Sequence, residues 1–151
     1  MKVAAAALAS QVYVPGDPLD ICDITTRSAT GAYNEASLGP EDVDVIELHD
    51  CFTIAEISHY ENLMICPRGE GMNLLENGST EIGGRIPVNP SGGLQAKGHP
   101  LGATGVAQIC ELTWQLRGEA GQRQVKDARV GLAHTMGGGT GMASSVTILT
   151  R

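Results

Sequence analysis

The 151-residue sequence predicts an α/β fold, a sheet with helices packed against its faces, and three features carry that reading. Short apolar runs with little polar interruption, at Val3–Val12, Val43–Leu48, Ala128–His134 and Ala143–Leu149, read as strands. Between them stand stretches whose apolar residues recur at helical spacing, so strands and helices alternate along the chain. Hydrophobic residues make up 42% and charged residues 18%, enough to fill the core of one globular domain and too apolar for a disordered chain.

Taken in order, Val3–Val12 is Ala-rich and suits a strand buried on both faces, ended by Pro15-Gly16-Asp17-Pro18. A helix follows from Thr25, placing Ala29, Ala32, Tyr33 and Ala36 on one side, with Gly39-Pro40 as its stop. After the second strand comes His49-Asp50-Cys51-Phe52, then Thr53-Ile54-Ala55-Glu56 in the pattern of a capping box. Ile54, Ile57, Tyr60, Leu63 and Met64 continue that helix, which puts His49 and Cys51 on a strand-to-helix turn. Residues 66–98 form a long excursion without clear periodicity, of the kind that is usually functional inside a compact domain. A helix from about Gly102 to Arg117 should bury Val106, Ile109, Cys110, Leu112 and Trp114. The order β-α-β-α-loop-α-β-β implies a sheet that is parallel early and antiparallel at its end, closed by a hairpin turn at Gly137–Gly141.

Composition excludes several functions. A net charge of −7 argues against general nucleic-acid binding and against an anionic membrane surface. No apolar run reaches the length of a membrane span, and Met1–Ala9 is too short and weakly charged for a secretory leader. Cys22, Cys51, Cys66 and Cys110 show no CxxC and no shared spacing, so free thiols in a cytoplasmic setting are expected, with no metal site. His59, beside Ser58 and Glu61, reads as solvated, and His134 as structural.

Glycine is unevenly spread. Of 20 glycines, four lie before position 71 and sixteen from there on, which places sharp turns and close approaches in the back half. The richest stretch runs from Asn89 through Ser91-Gly92-Gly93 and Gly98-His99-Pro100 to Gly105. It is no Walker loop, because His99-Pro100 follows Gly98 where Lys-Ser/Thr is needed. A dinucleotide fingerprint fails as well, on glycine spacing here and on the strand that follows Gly137–Gly141. What stands out is one histidine between a glycine and a proline, at the mouth of a helix. Pro100 restricts the backbone at His99, and imidazole is the side chain best suited to take and return a proton near neutral pH.

The stretch resembles the C-terminal signature of the thiolase family, N-x-x-G-G-x-x-A-x-G-H-P-x-G-x-[ST]-G, with Gln95 where an aliphatic residue is usual. His49-Asp50-Cys51-Phe52 is similar to the active-site turn of the sterol-carrier-protein type of thiolase. His134-Thr135-Met136-Gly137-Gly138-Gly139 resembles the family's Cys-x-Gly loop with Thr135 in place of cysteine. The resemblance implies half of an αβαβα architecture, a single C-terminal-type domain over residues 1–151 with a mixed sheet of the five-stranded type. It also implies roles. His99 would activate the catalytic thiol, and His49 with His99 would form one oxyanion hole. The Gly137 amide would serve a second hole, and Cys51 would move the α-proton of the acyl-CoA. Ser91, Gly92, Gly93 and Gly138 would approach the CoA thioester, with coenzyme A as substrate or product and no permanent cofactor. A thiol ahead of a helix N-terminus and beside histidine is expected to ionise readily.

A thiolase has two similar halves, and the acyl-accepting cysteine belongs to the first. Cys22, flanked by Asp20 and Asp23, does not match its motif. The resemblance therefore implies the C-terminal half of an acyl-CoA C-acyltransferase, inactive alone. Its partner would be an N-terminal half on another chain or a missing segment, within a homo- or hetero-oligomer. A thiolase-like retro-aldolase subunit and a non-catalytic CoA- or lipid-binding module are the alternatives.

Overall fold

A computed structural model describes residues 1–11, 21–138 and 143–151. The Pro15–Pro18 break, the side chain of Cys22 and positions 139–141 of the glycine turn lie outside the described residues. The elements are β1 (Lys2–Ser10), α1 (Ile21–Ala36), β2 (Val45–Glu47), α2 (Thr53–Asn62), α3 (Gly71–Glu76), α4 (Gly93–Lys97), α5 (Thr104–Arg117), β3 (Val130–Gly137) and β4 (Ala143–Thr150). Single 3-10 turns at Pro40–Asp42 and Gly121–Arg123 join α1 to β2 and α5 to β3.

The strands form one four-stranded sheet in the order β1-β4-β3-β2. The expected early parallel pair is not there: β1 and β2 occupy opposite edges. The described parallel strand pair is β2 with β3, while β1–β4 and β3–β4 are antiparallel. Where a fifth strand was expected, Val88 makes a single parallel bridge to Ile46. Pro87 and Pro90 flank that segment and supply no backbone N–H, so the bridge does not extend into a ladder. As an edge strand β1 is also not buried on both faces: Ala5 is buried, whereas Val3 and Leu8 are exposed.

One face of the sheet is closed. Ala29, Ala32 and Tyr33 of α1 meet Tyr60 and Leu63 from the α2 region, Leu74 of α3, and Ile46, Leu132, Val146 and Ile148 of the sheet. Ile86 and Val88 join the same core, so the excursion after Cys66 is not the featureless loop the sequence suggests. The expected capping box at Thr53–Glu56 does not form. Helix α2 begins at Thr53 with Phe52 as N-cap and no side-chain cap, and the Glu56 carboxylate instead accepts the Tyr60 hydroxyl at 2.6 Å.

The other face carries α5, which packs Leu112 and Leu116 against Val45, Ala133 and Leu149. Gly131 permits this approach, since a Cβ there would sit 3.1 Å from Leu112 Cδ2. The predicted polarity of α5 is reversed at three positions. Val106 and Trp114 are 64% and 44% exposed and Cys110 is exposed, while Gln108, Glu111 and Gln115 are buried. Each buried polar group has a partner. Gln108 donates to the His134 carbonyl at 3.0 Å, Gln115 to the Arg123 carbonyl at 2.8 Å, and Arg123 to Glu111 at 2.9 Å. Satisfied in this way, polar side chains hold α5 to the sheet and leave an apolar stripe facing outward.

Candidate active site

β2 ends two residues before His49, whose imidazole is 4% exposed. His99, exposed, follows α4 and Gly98, and its ring stands edge-on to His49 with centroids 4.8 Å apart. Residues fifty positions apart in sequence are thus in contact. The orientation of His99 has a local cause. Thr104 donates its hydroxyl proton to the Pro100 carbonyl at 3.2 Å and lies 2.9 Å from His99 Nδ1. A hydroxyl that gives its proton to that carbonyl can accept from Nδ1–H, an arrangement that places the free lone pair of His99 on Nε2. This is the tautomer a general base requires.

His49 is held neutral. Burial lowers its pKa, repulsion from His99 lowers it further, and Asp50 opposes both. Its Nδ1 is enclosed without a hydrogen-bond partner among the described residues, which leaves Nε2 as the nitrogen available to a ligand. A neutral imidazole can donate to a developing oxyanion without introducing a formal charge.

The two histidine-bearing segments are joined bond by bond. Ile46 N–H donates to Pro87 O at 3.0 Å, Asn89 N–H to Ile46 O at 2.7 Å, and Leu48 N–H to Asn89 Oδ1 at 2.8 Å. Buried Glu47 accepts both the amide and the hydroxyl of Ser91, at 3.1 and 2.6 Å, and Lys97 pairs with the same carboxylate at 3.8 Å. Buried Asp50 accepts the amides of Leu94 at 2.7 Å and Gln95 at 3.2 Å. A Cβ at Gly93 would collide with the Asp50 carboxylate, and the residue has φ +61, so glycine is required there twice over.

Cys51 shares the turn with His49 and is solvent-exposed. The expectation of a readily ionised thiol is not met. Desolvation raises its pKa, the amides of Cys51 and Phe52 lower it, and Asp50 raises it, with a net upward shift. Desolvation of the sulfur outweighs the amides at the helix start, and the Asp50 carboxylate adds to it. At rest this residue is a thiol, able to give a proton and in need of a base to lose one.

The remaining predicted residues divide. Ser91 is already engaged with Glu47, and Gly93 is buried beneath Asp50. Gly92, Gly137 and Gly138 are exposed, with Gly92 and Gly138 at φ +96 and +92. Thr135, standing where the family has cysteine, donates its hydroxyl to Gln108 Oε1 at 2.7 Å. His59 is not solvated: it is 4% exposed and packs edge-on against fully buried His134 at a centroid distance of 4.4 Å. Asp50, Glu47 and Thr104 carry no signal of their own in the sequence, although Asp50 lies in the His49–Phe52 turn and Thr104 in the Asn89–Gly105 stretch. No group of three or more His, Cys, Asp or Glu among the described residues could hold a metal ion. No helix among them is long and apolar enough to cross a membrane.

Two histidines in ring contact, with a cysteine on the same strand-to-helix turn as one of them, stand at one edge of a mixed α/β sheet. The chain belongs to the thiolase family, matching the model of the thiolase C-terminal domain-like family over residues 14–151. It is 50% identical, over 99% of its length, to an acetyl-CoA acetyltransferase of Methanothermobacter thermautotrophicus, of which it covers 39%. It is 54% identical over 83% of its length to sterol carrier protein 2 of Rattus norvegicus, and 46% identical over 81% to the benzoylsuccinyl-CoA thiolase subunit BbsB of Thauera aromatica, covering 23% and 32% of them. The chain thus spans well under half the length of the relatives it matches. Among solved structures, a chain of the Ltp2-ChsH2(DUF35) aldolase superposes with a TM-score of 0.78 over 96% of this chain and 38% of that one, at 26% identity.

Proposed function

We propose that this chain supplies the acid/base and oxyanion groups of an acyl-CoA C-acyltransferase. The reaction would be thiolysis of a 3-ketoacyl-CoA or the reverse Claisen condensation, in the cytoplasm. The observation that carries the reading is the His49–His99 contact at 4.8 Å on the turn that also bears Cys51. In the cleavage direction His99 Nε2 takes the proton of the acyl-accepting thiol contributed by an N-terminal half. The thioester oxygen sits between His49 and His99. Cys51 delivers a proton to the departing α-carbon, a role that suits a cysteine protonated at rest. The amides of Gly137 and Gly138 line the opposite side, and coenzyme A enters and leaves as co-substrate.

The missing half has a surface to meet. Val106, Cys110 and Trp114, spaced four apart on α5, form an exposed apolar stripe, and Leu101, ahead of the helix, is 86% exposed. Association through this stripe is expected, and light scattering that shows a lone, stable monomer would count against it.

The decisive assay combines the chain with a thiolase N-terminal half carrying the nucleophilic cysteine and follows acetoacetyl-CoA cleavage by free CoA. Activity that appears only in the mixture, and that is abolished by His99→Ala and by Cys51→Ala, is the expected result. The likeness to an aldolase favours a second reading, a retro-aldol cleavage on a CoA side chain, which needs the base but forms no acyl-enzyme. Turnover of a β-hydroxyacyl-CoA without consumption of free CoA would select it. Binding of acyl-CoA without either reaction would select a non-catalytic module.

A further inference from the structure

We propose that Asp50 is the positioning residue that sets His99 against His49, acting through α4. Its carboxylate is 2% exposed, so it meets neither solvent nor substrate. Its two oxygens take two successive amides, Leu94 N–H on Oδ1 and Gln95 N–H on Oδ2. Two bonds from one planar group fix both the place and the rotation of α4, where one bond would leave it free to swivel. A third contact closes the clamp, because Gln95 Nε2 donates to the Asp50 carbonyl at 3.0 Å.

The connection onward to His99 is short. Leu94, held by Asp50, accepts the Gly98 amide on its own carbonyl at 2.8 Å, and His99 is the next residue. On the other side Asp50 is covalently next to His49. A single side chain therefore touches, directly or through one hydrogen bond, the backbone that carries each imidazole. Gln95 gains meaning here as well: the one position that departs from the family signature is the one that doubles the clamp.

Carboxylate and carboxamide are not equivalent at this site. Asn offers one accepting oxygen, and its NH2 would face the second amide N–H, donor against donor. Asp50→Asn should thus release one end of α4 while barely changing side-chain volume. A displacement of about 1 Å between reacting groups can cost on the order of 100-fold in rate.

The test labels the histidines of this chain alone, within its complex with the complementing N-terminal half. Imidazole NMR reads the nuclear Overhauser contact between the His49 and His99 rings, and kinetics read kcat and KM. For Asp50→Asn the expected result is loss of the ring contact with unchanged circular dichroism, kcat reduced about 10- to 100-fold, and KM changed less than about 3-fold. Retention of both the ring contact and kcat would overturn the proposal. Should Asp50→Asn fail to fold, Gln95→Leu, at an exposed position, removes only the third contact and must still weaken the ring contact and lower kcat; no change in either overturns the proposal equally. The kinetic arm rests on the acyltransferase reading, and the ring-contact arm does not. A wild-type complex that is inactive while Asp50→Asn still separates the rings sinks that reading and leaves the positioning role standing.

Discussion

All four histidines of this protein stand in two edge-to-face pairs, and the pairs differ in almost everything except that contact. His49–His99 has one exposed member, a threonine that selects a tautomer, and a carboxylate next door. His59 on α2 and His134 on β3 are both buried, with Thr25 Oγ1 of α1 3.3 Å from His134 Nε2 and both Nδ1 atoms without partners among the described residues. Burial pushes His59 down to about 4 and His134 well below its ordinary value, and each is further repelled by its histidine neighbours. The first pair therefore has a ring open to solvent, and the second has none. Exposure and nearby oxygen atoms, rather than the ring–ring contact, decide which pair can do acid/base work.

That contrast can be broken most sharply at His99. In the complemented enzyme, His99→Ala should lower turnover by roughly 100- to 10,000-fold, the usual contribution of a positioned acid/base. Its unfolding midpoint should hardly move, since the side chain removed is exposed. Urea denaturation monitored beside the activity assay separates the two effects, and a large stability loss would erase the distinction between the pairs.

The next largest effect belongs to the sealed pair and is a loss of stability in acid. A histidine whose folded pKa lies below its unfolded one takes up its proton only on unfolding, so stability falls as pH drops below about 6.5 and goes on falling to about 4. For His59 the shift corresponds to about 3 kcal/mol by pH 4. Denaturant titrations between pH 7 and 4 should show that slope in the wild type and a flatter one in His59→Leu. Parallel slopes would mean that His59 titrates normally.

A smaller effect should follow from Thr104→Val, which removes the acceptor at His99 Nδ1 and leaves the ring free to turn. One such hydrogen bond is worth about 1 kcal/mol, hence about fivefold in kcat. The signature is a fall in kcat with a change in the imidazole nitrogen shifts of His99 and none in those of His134. Equal perturbation of both pairs would show that Thr104 acts on the fold as a whole.

Much of this was legible beforehand, and the reasons are local. The strand-to-helix turn at His49–Phe52 shows itself because β-type residues give way to helical period within a few positions. His99 shows itself because glycine and proline on either side restrict only that short stretch of backbone. The misreadings are of another kind. His59 lies among polar neighbours in sequence, yet it is buried because α2 turns that face toward β3. Trp114 and Val106 have core-like chemistry and are exposed, because Gln108, Glu111 and Gln115 find partners on the sheet side and take the inward face. Cys51 was expected to ionise from its helix start and its histidine neighbour, and desolvation, helped by the Asp50 carboxylate, reverses the sign.

By itself the sequence determined the family and the candidate residues, because glycine–histidine–proline, a cysteine on a strand-to-helix turn and clustered glycines are properties of a few adjacent positions. Tertiary structure decided which of them meet and in what protonation state. Contact across fifty residues, the resting thiol of Cys51 and the burial of His59 all depend on which groups face each other, and that is settled only when the turn after β2 meets α4 and α2 meets β3.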